Sequence, residues 1–305
     1  VGSDATTGTT NSSDAAQSGL RTTGGNGHIV VRTTAGSLTL NNGTAPGDDT
    51  AVSAHGLGNV LLQTLGAGTD ITVNADLVSG SGNLSVLAAR SVVFTGTADL
   101  RTSSSAATSG SLDVVAGTGS ITQSATSVFL SLGASATARL LAATSVTVGD
   151  IELPLGQVSI TATLGSILDA DVVTTTNDTD QDITASALRL VAGTGIADSV
   201  NHLETTVVTL SARAGSGSIY LLEANDISVG DVGLSVNRVG SNGTALTATT
   251  DAAQSDIRTT GGNGAIVLRN GRIVAVGQNV TPPPDAVIVD GSGKFVTPGI
   301  IDSHS

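Results

Sequence analysis

GLGNVLLQTLGAGTDITVNADLVSGSGNLSVLAARSVVF, residues 56–94, contains the pattern that decides the fold. Two Gly-x-Gly-Asn corners, at 56–59 and 80–83, each precede a short aliphatic run, and each run is followed by a second short strand pattern, ITV at 71–73 or VVF at 92–94. Gly and Asn supply turns and positive φ angles, so short strands joined by corners are predicted. No sustained i, i+3, i+4, i+7 apolar stripe occurs in the chain, which predicts that helices are nearly absent.

The same Gly-x-Gly-x-aliphatic corner recurs along most of the chain. It is found as GNGHI at 25–29, GTGSI at 117–121, GSGSI at 215–219 and GNGAI at 262–266. Similar units laid end to end are typical of a coil whose turns stack on one another, here with about 20 residues per coil. Strands at this spacing also fit a β-sandwich or barrel, which is the alternative reading.

A much longer repeat encloses these corners. Residues 14–33, DAAQSGLRTTGGNGHIVVRT, match residues 251–270, DAAQSDIRTTGGNGAIVLRN, at 15 of 20 positions after an interval of 237 residues. The chain therefore holds one whole period and the opening of the next. A tandem sandwich of about 230 residues explains the long interval but leaves the finer corner pattern unexplained, so a β-solenoid is predicted.

Composition agrees with a distributed core. The 305 residues include no Cys, Met or Trp, and only Phe94, Phe129, Phe295 and Tyr220 are aromatic. A core of Val, Ile, Leu and Ala spread over many short strands follows, because large aromatic anchors are missing. The net charge of -13 argues against nucleic acid and anionic membrane as partners. No apolar run of 18 residues occurs, so membrane insertion is not expected.

The phrases RTTGGNGHIVVRTTAGSLTLNNGTAPGDDTAVSAHGLGNVLLQ, at 21–63, and GSGSIYLLEANDISVGDV, at 215–232, resemble the haemagglutinin-type, β-strand-repeat large exoproteins of bacteria. The resemblance covers residues 1 to about 268. It implies an all-β, right-handed parallel β-helix (a β-solenoid), secretion, and display outside the cell as an adhesin, stalk or matrix fibre.

The last 40 residues follow another pattern. Asn270-Gly271 between aliphatic runs predicts a hairpin, and NGRIVAVG with VIVDGSGKFVTPGIIDSHS resembles the start of a metal-dependent amidohydrolase. The resemblance implies that His304 would be the first His of a metal-binding His-x-His pair. Residues 269–305 contain neither the second His nor a catalytic barrel, so a short β-hairpin tail and no catalysis in this chain are expected.

The acidic run NDTDQD, at 177–182, is the best local candidate for a binding site. The alternate carboxylates of Asp178, Asp180 and Asp182 could converge on Ca²⁺, which favours several oxygen ligands in a flexible loop. The competing interpretation is a solvated loop. His28, His55 and His202 have no metal-ligand spacing, and no pair of carboxylates is singled out for glycoside hydrolysis. Ca²⁺ is therefore the one cofactor that the residues suggest.

These observations predict an extracellular or cell-surface structural segment, a stalk, adhesin or matrix fibre, which performs no catalysis. Its expected partners are further copies of itself, joined end to end, or a ligand on a host or other surface. Two alternatives stay open. One is a surface-displayed amidohydrolase fusion of which only the first strands are present, and the other is a Ca²⁺-stabilised carbohydrate-binding module.

Overall fold

The computed structural model describes residues 18–43, 49–102, 110–171 and 180–270, and these form an all-β structure in which most strands pair in parallel. No helix occurs in these ranges, and hence none that could span a membrane. The predicted tail, 269–305, lies almost wholly outside them. In chain order, the strands are β1 (Leu20–Arg21), β2 (Ile29–Thr33), β3 (Leu38–Leu40), β4 (Thr50–Ala54), β5 (Val60–Thr64), β6 (Ile71–Val73), β7 (Asp76–Ser79), β8 (Leu84–Ala88), β9 (Val92–Phe94), β10 (Leu100–Thr102), β11 (Ser111–Ala116), β12 (Ile121–Gln123), β13 (Val128–Ser131), β14 (Thr137–Ala142), β15 (Val146–Val148), β16 (Asp150–Ala162), β17 (Ile167–Asp169), β18 (Ile183–Ala192), β19 (Leu203–Ala214), β20 (Ile219–Glu223), β21 (Ser228–Val229), β22 (Val232–Val239), β23 (Leu246–Gln254), β24 (Ile257–Thr259) and β25 (Ile266–Asn270).

The parallel strands form three stacks, and the chain visits the stacks in turn. The first stack holds β1, β4, β7, β10 and β13, and the second holds β2, β5, β8, β11 and β14. The long strands β16, β18 and β19 then supply both stacks, and β24 follows β19 in the second. The third stack holds β3, β6, β9, β12, β15, β17 and the first residues of β20 and β25, whose residues 221–223 and 268–270 continue over the first-stack part of β19. The short β21 pairs with β19 in the second stack. We call one passage through the stacks a layer.

Equivalent residues of successive layers lie directly over one another. The clearest case is an aliphatic column in the third stack, where nine layers contribute one residue each. Its members are Leu38, Ile71, Val92, Ile121, Val146, Ile167, Ile196, Ile219 and Ile266. Seven of these, from Ile71 to Ile219, are fully shielded from solvent. Small branched side chains are enough to fill this interior because each packs on a near copy of itself.

The strand predictions are confirmed where they can be compared. The runs at 71–73 and 92–94 match β6 and β9 residue for residue. The parallel pairing rules out the tandem antiparallel sandwich for the described residues. The layers vary in length around the predicted value of about 20 residues, since Val158 pairs with Ala138 across 20 positions, whereas Val60 pairs with Ile29 across 31.

The second glycine of each corner is required by close approach of backbones. At the corner between the first and second stacks, a Cβ on Gly58 would lie 2.2 Å from the carbonyl oxygen of Gly27, and one on Gly82 would lie 2.1 Å from that of Gly58. Neither position has a positive φ. The first glycine of the corner does adopt the left-handed region at Gly25 and Gly56, with φ of 64° and 60°. The two glycines of the motif thus serve different purposes.

A polar column follows the second glycine. Asn59 Oδ1 accepts hydrogen bonds from the backbone N and Nδ2 of Asn83, at 2.9 and 3.0 Å. Asn83 Oδ1 in turn accepts from the backbone N of Ser111 at 3.1 Å. Below Asn59, His28 Nδ1 accepts the N-H of Asn59 at 3.0 Å. The side chain after the second glycine therefore accepts a backbone N-H of the next layer at the corner, where the chain changes direction.

An antiparallel hairpin, β22 with β23, was not predicted and crosses the outer face of the second stack. The N-H of Val239 donates to Ser85 Oγ at 2.9 Å in β8, and Gln254 Nε2 donates to the carbonyl of Leu190 at 3.1 Å in β18. Four side chains of β22 are buried, namely Val232, Leu234, Val236 and Val239. The hairpin therefore spans at least the layers from β8 to β18, and its turn reaches Asn59, where Nδ2 donates to the carbonyl of Gly243 at 2.9 Å.

Buried ion pairs fix the position of this hairpin. Arg238 Nε lies 2.6 Å from Asp113, and Asp251 lies 2.9 Å from Arg139 Nε and 4.0 Å from Arg189. Asp113 also binds Arg139 at 3.1 Å, so hairpin and stack share one network of alternating charges. Removing one partner would leave a buried charge uncompensated, which makes this register of the hairpin specific.

The close approach at the corners gives a direct test. Gly82→Ala places a Cβ against the Gly58 carbonyl, so we expect the free energy of unfolding to fall by about 1–3 kcal/mol. Gly24→Ala is the matched control, because Gly24 has no heavy atom within 4 Å of the added Cβ and no positive φ. Urea denaturation measures both. Equal stability of the two variants would contradict the assigned role of the second glycine.

Candidate functional site

A column of acidic side chains runs along the first stack, at the start of its strands. The strand pairing places these residues at equivalent positions in successive layers. The acidic members are Asp76, Asp99, Asp150, Asp182 and Glu204. In the layer between Asp99 and Asp150, Val128 occupies the equivalent position.

The carboxylates of this column complete the backbone ladder where each strand begins. Asp76 Oδ1 accepts the N-H of Asp99 at 3.0 Å, and Asp99 Oδ1 accepts the N-H of Val128 at 2.8 Å. Asp182 Oδ2 accepts the N-H of Glu204 at 2.6 Å. Each of these three acids therefore binds an amide of the following layer, which a chain entering a parallel ladder would otherwise leave without a partner.

Stacking acids at the spacing of one layer also brings like charges together. At the Asp76 end, Arg101 forms an ion pair with Asp76 and lies 3.6 Å from Asp99. Burial, which is the largest cause, and the charge of Asp76 nevertheless raise the pKa of Asp99 above its ordinary value. Arginine thus offsets the repulsion at this end of the column without removing it.

Farther along the column, a cavity of about 300 Å³ opens on the protein surface. Asp150, Glu152, Asp171, Asp180 and Asp182 line it. Burial is the main cause that raises the pKa of Asp150 to about 7, and the neighbouring Glu152 carboxylate adds to the effect. Asp150 can therefore gain or lose a proton near neutral pH.

Three carboxyl groups meet beside this cavity. Oxygen atoms of Asp169, Asp182 and Glu204 lie within 4.8 Å of one another. Asp182 is 2 % exposed, and burial raises its pKa to about 10, with Asp169 and Glu204 as further acidic causes. At neutral pH, these coupled carboxyl groups therefore retain a proton, which can form a hydrogen bond between Asp182 and a neighbouring carboxylate.

This arrangement supports two kinds of chemistry. Neighbouring carboxyl groups can share a proton, which lowers their mutual repulsion. The same oxygens could instead bind Ca²⁺, which accepts several carboxylate ligands and would replace the proton. The raised pKa of Asp182 favours the shared proton at neutral pH.

The predicted acidic run is only partly brought together. Asp182 joins the three-carboxyl cluster, Asp180 lines the cavity, and Asp178 lies outside the described residues. Sequence reasoning missed Asp169 and Glu204, because the first lies 13 positions before Asp182 and the second 22 positions after it. A usable signal was present, namely an acidic residue at the start of several first-stack strands.

The histidines lie apart from the acidic cluster. His28 is exposed and supports the polar column, and His55 Nδ1 lies 2.6 Å from the carbonyl of Gly25. His202 packs edge-on against Tyr220 with ring centroids 5.7 Å apart, and burial lowers its pKa. His304, which the amidohydrolase resemblance concerned, lies outside the described residues.

Protonation of Asp182 predicts how stability depends on pH. The unfolded chain releases this proton near pH 3.8, whereas the folded chain holds it to about pH 10. The stability that this group contributes is thus fully present below pH 3.8 and is lost as pH rises through this window, by at most about 1.4 kcal/mol per pH unit. Asp182→Asn mimics the protonated acid, so we expect a flatter profile and higher stability than the wild type at pH 9.

Thermal melting between pH 5 and pH 9 measures this difference. Asp226→Asn is the control, because Asp226 is an exposed aspartate outside the cluster. We expect its profile to follow the wild type. A wild-type profile that is no steeper than that of Asp182→Asn would contradict the shared proton.

The Ca²⁺ prediction has its own pH signature. Because Ca²⁺ would compete with the proton of Asp182, it should raise the melting temperature more at pH 9 than at pH 6. Melting in excess Ca²⁺ and in a chelator at both pH values makes the comparison, with Asp182→Asn as the control that should respond less. Identical melting temperatures with Ca²⁺ and chelator at both pH values would contradict a Ca²⁺ site.

Comparison with protein-family models, with curated proteins and with solved structures finds no match to this chain. The haemagglutinin-type and amidohydrolase resemblances therefore depend on the quoted sequence phrases alone. The function that follows is inferred from the layered architecture and the chemistry of its exposed groups.

Proposed function

We propose that residues 1–268 are a structural or adhesive segment of an extracellular protein, built as a right-handed parallel β-helix, and that this segment performs no catalysis. Its role would be mechanical: a stalk or matrix fibre that holds or presents other surfaces. The observation that carries the proposal is the continuous parallel pairing of successive layers, which in the second stack runs from β2 to β24.

The register supports a mechanical role because it distributes stability along the chain. Each layer buries its aliphatic residues against neighbouring layers and pairs its backbone with them, so length can grow without a larger core. The nine layers of the second stack, from β2 to β24, would span about 40 Å at the usual strand spacing. An elongated element of this kind transmits force through many backbone hydrogen bonds.

The hairpin and the polar column support stiffness. The β22–β23 hairpin ties together layers that are otherwise joined only to their immediate neighbours, through Arg238 with Asp113 and Asp251 with Arg139. Asn59 and Asn83 add side-chain bonds between layers at the corners. These contacts resist sliding of one layer over the next.

The location and partners follow from sequence arguments. Placement outside the cell depends on the resemblance to haemagglutinin-type exoproteins. The net charge of -13 disfavours nucleic acid and anionic membranes, so we propose further copies of the chain, or a ligand on a host or other surface, as partners. A surface-displayed amidohydrolase fusion is a second candidate, carried by the sequence of residues 269–305.

Immunogold labelling of intact source cells tests the proposed location. An antibody against residues 18–270 should label the outside of unpermeabilised cells or fibres attached to them, whereas an antibody against a cytoplasmic protein should label only after permeabilisation. Labelling that requires permeabilisation would contradict the proposed function. An experimental structure of the purified chain would test the right-handed helix separately.

A further inference from the structure

The long repeat places two nearly identical phrases at opposite ends of the stacks. The first copy forms β1 and β2, which pair with β4 and β5 of the following layer. The second copy forms β24 and β25, which pair with β19 and β20 of the preceding layer. The first copy therefore pairs through the strand edge that faces the following layer, and the second copy pairs through the strand edge that faces the preceding layer.

The first copy binds the following layer through both backbone and side-chain contacts. Ile29 donates its N-H to the carbonyl of Asn59 at 2.9 Å. Side chains of the same copy add bonds whose partners are in or near β4 and β5. These are Thr22 Oγ1 with the N-H of His55 at 2.8 Å, Asn26 Oδ1 with the N-H of Leu57 at 2.9 Å, Arg32 Nε with Gln63 Oε1 at 2.8 Å, and His28 Nδ1 with the N-H of Asn59 at 3.0 Å.

The second copy keeps nearly all of these groups. At a shift of 237 positions, Ile29, Thr22, Asn26 and Arg32 correspond to identical residues, which are Ile266, Thr259, Asn263 and Arg269. Only His28 differs, because its counterpart is Ala265. The second copy can therefore make every contact in this set except the bond to the N-H of Asn59.

The second copy also presents its backbone in the required direction. The N-H of Ala265 donates to Ser218 Oγ at 3.0 Å, and its carbonyl accepts the N-H of Ile219 at 2.9 Å, so both groups of Ala265 face β20. Because these groups alternate along a strand, the N-H of Ile266 faces away from β20. Ile29 uses the same group to bind Asn59. Among the described residues, no strand pairs with this edge of β25.

We propose that β24 and β25 of one chain pair with β4 and β5 of a second copy of this chain, in place of that copy's own β1 and β2. This exchange rests on the proposed function, since it specifies how the stacked segments would join end to end. It is a heterologous contact, so each chain can engage a neighbour at both ends and form a linear assembly.

The proposal fixes the orientation of the two chains. The first copy of the phrase begins in the first stack and continues in the second, whereas the second copy begins in the second stack and continues in the third, with its last residues, 268–270, lying through β20 over the first-stack part of β19. An exchanged neighbour must therefore be rotated by one stack about the common axis. Separate molecules can adopt this rotation freely, and the core columns of both would continue through the junction.

His28 would control the exchange. A chain's own first layer supplies the imidazole that accepts the N-H of Asn59, and an incoming second copy supplies Ala265. His28→Ala removes this hydrogen bond from the chain's own first layer, and Ala265→His supplies it to the incoming layer. One hydrogen bond of this kind corresponds to about three- to tenfold in a dissociation constant.

Analytical ultracentrifugation of the full chain tests the proposal. Ile29→Asp places a charge at a buried position of the first layer and should release that layer from β4 and β5. We expect this variant to associate at lower concentration than the wild type. Adding Ile266→Pro, which removes the N-H that faces away from β20, should return it to monomers.

The milder variants keep the test informative if Ile29→Asp does not fold. His28→Ala and Ala265→His should each lower the dissociation constant about three- to tenfold, and circular dichroism checks that both retain the wild-type strand content. A folded Ile29→Asp variant that remains monomeric would overturn the exchange, as would unchanged association of both milder variants. Weaker association of Ile29→Asp would indicate stacking of intact first layers and would also overturn it.

Failure here is distinguishable from failure of the proposed function. Association of the purified chain does not depend on where the protein is located, and surface labelling does not depend on association. A monomeric Ile29→Asp variant would leave an extracellular segment in place, whereas absent surface labelling would leave the exchange in place.

Discussion

The spacing between backbones of successive layers is the constraint on which the rest of this structure depends. Parallel strands that exchange hydrogen bonds lie about 4.8 Å apart, and at the corners the chain must keep this approach while changing direction. Gly58 and Gly82 make the approach possible, because a Cβ at either position would meet the carbonyl oxygen of the layer below. Once the spacing is fixed, the side chains of paired strands lie over the equivalent side chains of their neighbours, apart from register shifts near Thr50 and Leu153.

Stacking of like on like suits aliphatic residues and penalises charges. The column from Leu38 to Ile266 gains from it, since each residue fills the space beside a near copy. In the acidic column, stacked carboxylates repel one another, and different groups stabilise different parts of the column. Amides of the following layer bind Asp76, Asp99 and Asp182, Arg101 neutralises one end, and raised pKa values of Asp150 and Asp182 favour bound protons at the other.

How much of this could be predicted from the sequence depends on the range of the interaction. Short strands and glycine corners are local features, so β6 and β9 were predicted residue for residue. The hairpin β22–β23 was missed because its alternating valines and leucine have the same local pattern as a stacked strand. Its position is decided by Asp113 and Arg139, more than 90 residues earlier. The carboxyl cluster was found only at Asp182 for the same reason, since Asp169 and Glu204 are brought to it by the stacking of layers.

The two copies of the long repeat show what such a phrase does and does not encode. Gly25 and Gly262 are the second residues of the same GGNG turn, with φ of 64° and 67°, yet the first turn joins the first and second stacks and the second joins the second and third. The phrase therefore encodes a corner followed by a strand, and not the stack in which that strand lies. The preceding chain decides the stack, and before the second copy that chain leaves the layers to form the hairpin. A fold built from corners of this kind tolerates an insertion between layers, because the chain can resume at whichever edge lies next to it.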